Sequence, residues 1–174
     1  MDLITQGRTD RLSDTIQRLP RRYQHLVRGV LGRLPAAWYE EPSVSRKSNV
    51  VCGIELSEDV LVTPRGCVAL ASARRERFDS IHCWTVILYR HVLDGFSDQT
   101  VLWVIAYEFG HIAARMTVES ETGKASPTSG QGPEADEPSH IQFANVAKRC
   151  GSDYALVWGF TQEKDAFDRE VTIL

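Results

Sequence analysis

At 174 residues, of which 43% are hydrophobic, the chain has the length of one ordinary domain and enough apolar sequence for one substantial core. Its 20 Lys and Arg against 23 Asp and Glu give a formal charge of -3, which supplies no global electrostatic footprint for nucleic acid or an anionic membrane. The first thirty residues carry Arg8, Arg11, Asp14, Arg18, Arg21 and Arg22 with no continuous apolar region, and the apolar run Val101 to Ala106 is far shorter than the roughly 20 residues that cross a bilayer, so a cytoplasmic protein without a secretory signal or membrane association is the expectation.

In chain order, Leu12, Ile16, Leu19, Tyr23, Leu26, Val27, Val30, Leu31 and Leu34 recur at steps of three and four, the spacing of an amphipathic helix, with Pro20 marking a break. This predicts two short helices or one kinked helix within residues 1–38, the apolar stripe packed on the domain and the arginines on a solvated face. After the polar stretch Glu40 to Ser48 come two runs rich in β-branched residues, Val50 to Leu56 and Val60 to Ala71, with the turn signal Ser57-Glu58-Asp59 between them. They read as a hairpin or two adjacent strands. The charged piece Arg74-Arg75-Glu76-Arg77 interrupts, and Ile81 to Leu88, containing Trp84, Val86 and Ile87, predicts a third strand, so the strands fall within residues 50–93.

The clearest element is a helix over 97–116, for which Ser97 or Asp98 offers an N-cap, and in which Val101 to Met116 runs without proline and with a single glycine. From Val101 to Ala106 it is apolar on nearly every side, so it is expected to be central and buried. Gly, Ser, Pro, Thr and acidic residues then dominate Glu119 to Ser139, which reads as a long mobile surface loop within the domain, because apolar sequence resumes after it. In the C-terminal segment 140–174, Ile141 to Ala147 and Tyr154 to Phe160 carry apolar residues, and Gln162 to Val171, centred on Ala166 and Phe167, suits a terminal helix. No internal repeat is visible. Helices at both ends enclosing a small sheet predict a single α+β domain over 1–174.

Cys52, Cys67, Cys83 and Cys150 contain no CxxC pair, and reduced, mostly buried thiols are the expectation. A zinc site made from Cys52, Cys67, Cys83 and His82 would require a coincidence of tertiary structure.

Within the buried helix stands Ala106-Tyr107-Glu108-Phe109-Gly110-His111-Ile112, which sets Glu108 and His111 on an otherwise apolar cylinder, where such groups must be paired, ligated or open to a cleft. Positions 107 and 111 are one turn apart and project from the same face, with residue 108 beside them. That is the geometry of HExxH, in which two histidines hold zinc and the glutamate accepts a proton from the zinc-bound water. Here Tyr107 stands where the first histidine would be.

The segment YEFGH resembles the active-site helix of zincin peptidases of the minimal ImmA/IrrE type, commonly HExGH, and Thr85 to Leu93 looks like the strand and connection that border the substrate cleft in such proteins. The resemblance spans roughly residues 50–170. It implies a zincin-like fold with a small mixed sheet packed on the active-site helix and flanking helices. It further implies Glu108 as general base, His111 as a zinc ligand, Glu163 of Glu163-Lys164-Asp165-Ala166 (ExxA) as third ligand, and Tyr107 at the place of the missing one. A phenol has a reference pKa near 10 and must be deprotonated to ligate, whereas imidazole is a ready neutral donor, so zinc binding is expected to be weakened or lost. His91, His82 and His140 are the candidate replacements. Two functions follow: a binding or regulatory module that keeps the architecture and engages a protein or peptide partner, or an active zinc-dependent peptidase using Tyr107 or another ligand. Transcriptional or phage regulation is a third, resting on the association of the ImmA/IrrE type with it and on the arginine-rich N-terminal helices.

Overall fold

The computed structural model describes residues 3–35, 50–63, 66–78, 81–122 and 151–171. Two helices open it, α1 (Leu3–Arg18) and α2 (Arg21–Leu31), and the break falls at the proline, as the sequence predicts. Proline lacks an amide hydrogen and its ring collides with the carbonyl one turn back, so α1 stops, and Pro20 at φ -57° and ψ 151° caps the start of α2. Carbonyls left over near the end of α1 are taken by Gln24, whose Nε2 donates to Gln17 O at 3.1 Å and to Leu19 O at 2.7 Å. The stripe Ile16, Leu19, Tyr23, Leu26, Val27 and Val30 is buried.

β1 (Val50–Ser57), β2 (Ala71–Phe78) and β3 (Ile81–Tyr89) form a mixed sheet in the order β1-β3-β2, with β1 parallel and β2 antiparallel to β3. The expected pairing of the first two β-branched runs is therefore corrected: β3 lies between β1 and β2. It takes the centre because it is apolar on both faces, with Trp84, Val86 and Leu88 buried on one side and Cys83 and Thr85 on the other. Of the expected strand over Val60 to Ala71, Ala71 begins β2, and the described residues before it are joined only by an isolated Val62–Val68 bridge beside Gly66 at φ 79°. Val60, Leu61, Val62 and Val68 are left exposed, since β-branched residues make a strand only where a neighbour offers surface to pack on. The charged run expected to interrupt the sheet is the body of β2, an edge strand, where charges are tolerated and discourage pairing with a further chain. There Arg74 lies 2.6 Å from Glu76 Oε1 and 3.3 Å from Glu55 Oε2.

A single turn, α3 (Arg90–Leu93), leads into α4 (Asp98–Thr122). Ser97 is its N-cap, the hydroxyl oxygen accepting the Thr100 amide hydrogen at 3.3 Å. Val101, Val104, Ile105, Ala106, Phe109 and Ile112 are buried, so the helix expected to be central is central, with the sheet, α2 and the last helix packed around it. It continues to Thr122, so Glu119 to Thr122 are helical rather than the start of a loop. The remainder of the expected 119–139 loop and the apolar stretch Ile141 to Ala147 lie outside the described residues. Residues 151–157 form a helical segment, α5, and α6 (Thr161–Val171) closes the fold. Between them Gly159 takes φ 88°, which lets its amide reach Leu156 O and the Phe160 amide reach Ala155 O.

The architecture is α+β, a small mixed sheet with helices on both sides. No helix among the described residues is long and apolar enough to cross a membrane.

Tyr23 ties α2 to the turn between α3 and α4, donating to Asp94 Oδ1 at 2.7 Å. Burial first, and then that hydrogen bond, raise the phenol above its ordinary value, while the same bond, as the largest cause, holds the Asp94 carboxyl below the usual carboxylate range. A raised phenol stabilises the fold fully below about pH 10, its unfolded value, and loses that contribution as pH climbs through its folded value; the depressed carboxyl contributes above about pH 4 and loses it as pH falls through its folded value. Tyr23→Phe is expected to cost about 1 kcal/mol at neutral pH. It should also flatten the alkaline limb of stability measured by denaturant unfolding at several pH values, and an unchanged limb would contradict the bond.

Candidate functional site on the central helix

Trp103, Tyr107, His111 and Arg115, each four residues from the last, form one stripe along α4. The Trp103 and Tyr107 ring centroids are 6.4 Å apart, and those of Tyr107 and His111 6.3 Å apart. At the far end the Arg115 guanidinium lies 5.4 Å from the centroid of Trp84 in β3, and Arg75 of β2 lies 5.8 Å from the same ring. The stripe therefore turns toward the β3–β2 side of the sheet. Glu108 sits beside it, with Oε2 4.0 Å from His111 Nδ1 and the two side chains 10% and 14% exposed. The carboxylate, imidazole and phenol that the one-turn spacing brings together in sequence are thus neighbours in space, and nearly enclosed.

The Tyr107 phenol is pushed above its ordinary value, by burial first and then by the negative charge of Glu108. Both causes oppose the phenolate that a metal would need.

The element bordering His111 is α5. A Cβ added to Gly110 would overlap the carbonyl oxygen of Gly151 and lie 3.2 Å from Tyr154 Cβ, and one added to Gly151 would lie 3.1 Å from His111 N and 3.3 Å from His111 Cβ. Two glycines let two helical backbones touch here, so the glycine that contributes to the HExGH resemblance has a packing reason of its own.

Glu163 is carried by α6, whose end is tied to the start of α4 by the Ser97 amide donating to Glu170 Oε2 at 3.1 Å. Glu163 Oε1 accepts from Arg33 Nη1 at 2.7 Å, and that guanidinium also stacks 4.4 Å from the centroid of Phe160. Glu163 Oε2 is buried with no hydrogen-bond partner among the described residues.

His91, the first candidate replacement ligand, is exposed on α3 with Nε2 3.3 Å from Glu58 Oε2, and the strand before it, β3, is the centre of the sheet rather than an edge. The His82 side chain and His140 lie outside the described residues. No family model, curated protein or solved structure matches this chain.

A structural or catalytic zinc requires three or four protein donors around one point. Here burial and Glu108 raise the Tyr107 phenol, and one oxygen of Glu163 is taken by Arg33. Among the described residues, Glu108, His111 and Glu163 do not bring three donor atoms within 4.8 Å of one another, so no chemistry is derived through zinc at this place. The stripe offers instead a carboxylate and an imidazole 4.0 Å apart, beside a neutral phenol that can donate a hydrogen bond.

Among the described residues, one trio of His, Cys, Asp or Glu side chains brings its donor atoms within 4.8 Å of one another, and it lies elsewhere: Cys52, Glu76 and Cys83. The sequence names both cysteines and sets them aside, and it offers no signal for Glu76, hidden in a run of charges. Nothing in residue spacing marks Gly151 as a neighbour of the site, because its contact joins separate elements, whereas Arg115 follows His111 at the same four-residue step and is legible there.

Gly110→Ala is expected to destabilise the protein by about 1–3 kcal/mol, since the added methyl meets backbone that cannot turn aside. Thermal unfolding reads this directly, and an unchanged midpoint would mean that α5 does not dock on α4 as described.

Proposed function

We propose that the chain is a zincin-like binding or regulatory module whose hydrolytic zinc centre has been lost, and which engages a protein or peptide partner. The observation that carries this reading is that, among the described residues, no third His, Cys, Asp or Glu donor gathers with Glu108 and His111, Glu163 Oε1 being ion-paired with Arg33 at 2.7 Å. The YEFGH helix, central and flanked by a small mixed sheet, supports the architecture implied by the resemblance. A raised Tyr107 phenol supports loss of the first ligand.

A protein or peptide partner is favoured by the residues before β2, where Val60, Leu61, Val62 and Val68 are 43% to 56% exposed. Nucleic acid is disfavoured, since Arg11, Arg22 and Arg33 of the N-terminal helical region each reach carboxylates of the same chain, Glu76, Asp94 with Asp98, and Glu163 respectively.

Metal analysis of protein purified without chelator, with a peptide-hydrolysis assay beside it, tests the reading. The parent is expected to hold no zinc that depends on His111 and to hydrolyse nothing above background, and Tyr107→His is expected to raise zinc affinity by restoring the second imidazole. Stoichiometric zinc that disappears in His111→Ala or Glu163→Ala, together with amide hydrolysis lost in Glu108→Gln, would overturn it in favour of an active zinc peptidase.

A further inference from the structure

The sheet face turned away from α4 carries a group that plays no part in the reading above. Cys83 lies directly opposite Glu76 in the β2–β3 ladder, so their side chains leave the same face. On the other flank, Val51 pairs with Trp84 and Gly53 with Thr85, so Cys52 is the extra residue of a β-bulge in β1. A bulge re-aims a side chain, and this one leaves the Cys52 sulfur 3.9 Å from Thr85 Oγ1, on the face shared by Cys83. Donor atoms from three strands, Cys52 Sγ, Cys83 Sγ and a Glu76 carboxylate oxygen, thereby come within 4.8 Å of one another. Both cysteines are buried, at 2% and 4% exposure, and neither is in a disulfide.

We propose that Cys52, Cys83 and Glu76 form a binding site for a thiophilic divalent cation, with Zn2+ its natural occupant, held between the sheet and α1. Two thiolates at about 2.3 Å from a tetrahedral zinc stand about 3.8 Å apart, a separation inside the spread of the donor atoms here. Three anionic donors exceed a divalent cation by one negative charge. Arg11 of α1, 3.4 Å from Glu76 Oε2, and Arg74, 2.6 Å from Glu76 Oε1, stand where they offset it. The α1 helix closes the site from above: Thr15 Oγ1 accepts the Ile54 amide hydrogen at 3.2 Å.

A hydrogen bond from Cys83 is the largest cause holding the Cys52 thiol below its ordinary value, and the same bond, with burial, pushes Cys83 up. A bound ion displaces the thiol protons, both sulfurs then serving as thiolates. Soft sulfur donors select Zn2+ or Cd2+ over Mg2+ or Ca2+, which prefer all-oxygen shells.

Titration of the reduced, full-length protein with Cd2+ tests this. We expect a near-ultraviolet thiolate-to-metal absorption that saturates at one ion per chain, competes with Zn2+ but not Mg2+, and is accompanied by proton release. Cys52→Ser or Cys83→Ser should abolish the absorption and Glu76→Gln should weaken binding roughly tenfold or more. Cys67→Ser, Cys150→Ser and His111→Ala should leave it unchanged. Absence of one-to-one absorption in the parent, or its survival in the Cys52→Ser/Cys83→Ser double variant, overturns the proposal. Should a serine variant fail to fold, X-ray absorption of Zn2+ bound to the Cys67→Ser/Cys150→Ser protein decides: two sulfur neighbours with oxygen support the site, and fewer than two sulfurs sink it. This site shares no residue with the α4 stripe, so zinc lost on Cys52→Ser and zinc lost on His111→Ala report on separate questions.

Discussion

The fold is organised by the need to enclose α4. A helix that is apolar on nearly all sides over Val101 to Ile112 has no face to give to water, so it must be surrounded, and the sheet, α2, α5 and α6 each cover part of it. The small sheet follows from the same constraint. Trp84, Val86 and Leu88 of its central strand turn toward the helix, and the polar edge strand is left where charges can reach solvent. Two helix ends are then fixed by polar contacts on α4 or its approach, Tyr23 to Asp94 with Arg22 to Asp94, Phe96 O and Asp98 for α2, and Glu170 to the Ser97 amide for α6.

Enclosure decides what the polar residues of α4 can do. Glu108 and His111 sit near the boundary of the buried region, close enough to interact and partly shielded by neighbours, while Tyr107 is held neutral beside them. The turn that carries His111 is where α5 presses its backbone against α4 through Gly110 and Gly151. α6 is tied to the start of α4 through Glu170, and Arg33 pairs with Glu163. A carboxylate that looks like a ligand in sequence has, in the fold, one oxygen in an ion pair joining the residues after α2 to α6.

The two faces of the sheet hold different chemistry for a geometric reason. Alternation sends Trp84 toward α4 and Cys83 toward α1, so the residues of one strand serve two unrelated environments. The face toward α4 contributes packing and the Arg75–Trp84–Arg115 stack. The face toward α1 gathers two thiols and a carboxylate from three strands. The bulge in β1 is what places the first of those thiols, and the charges of β2, which read as an interruption of the sheet, supply the carboxylate and one of its counter-ions.

Local spacing was enough to determine the paired N-terminal helices with their break at Pro20, the position and centrality of α4, the terminal helix and the adjacency of Tyr107, Glu108 and His111. Each depends on contacts within about one helical turn or on the local geometry of proline. Strand order, the exposure of Val60, Leu61, Val62 and Val68, the pairing of Glu163 with Arg33 and the meeting of Cys52 with Cys83 and Glu76 were decided by the tertiary structure alone. Those facts depend on register and packing between segments far apart in the chain, where a one-residue bulge or a competing arginine changes which side chains meet, and no periodicity encodes them.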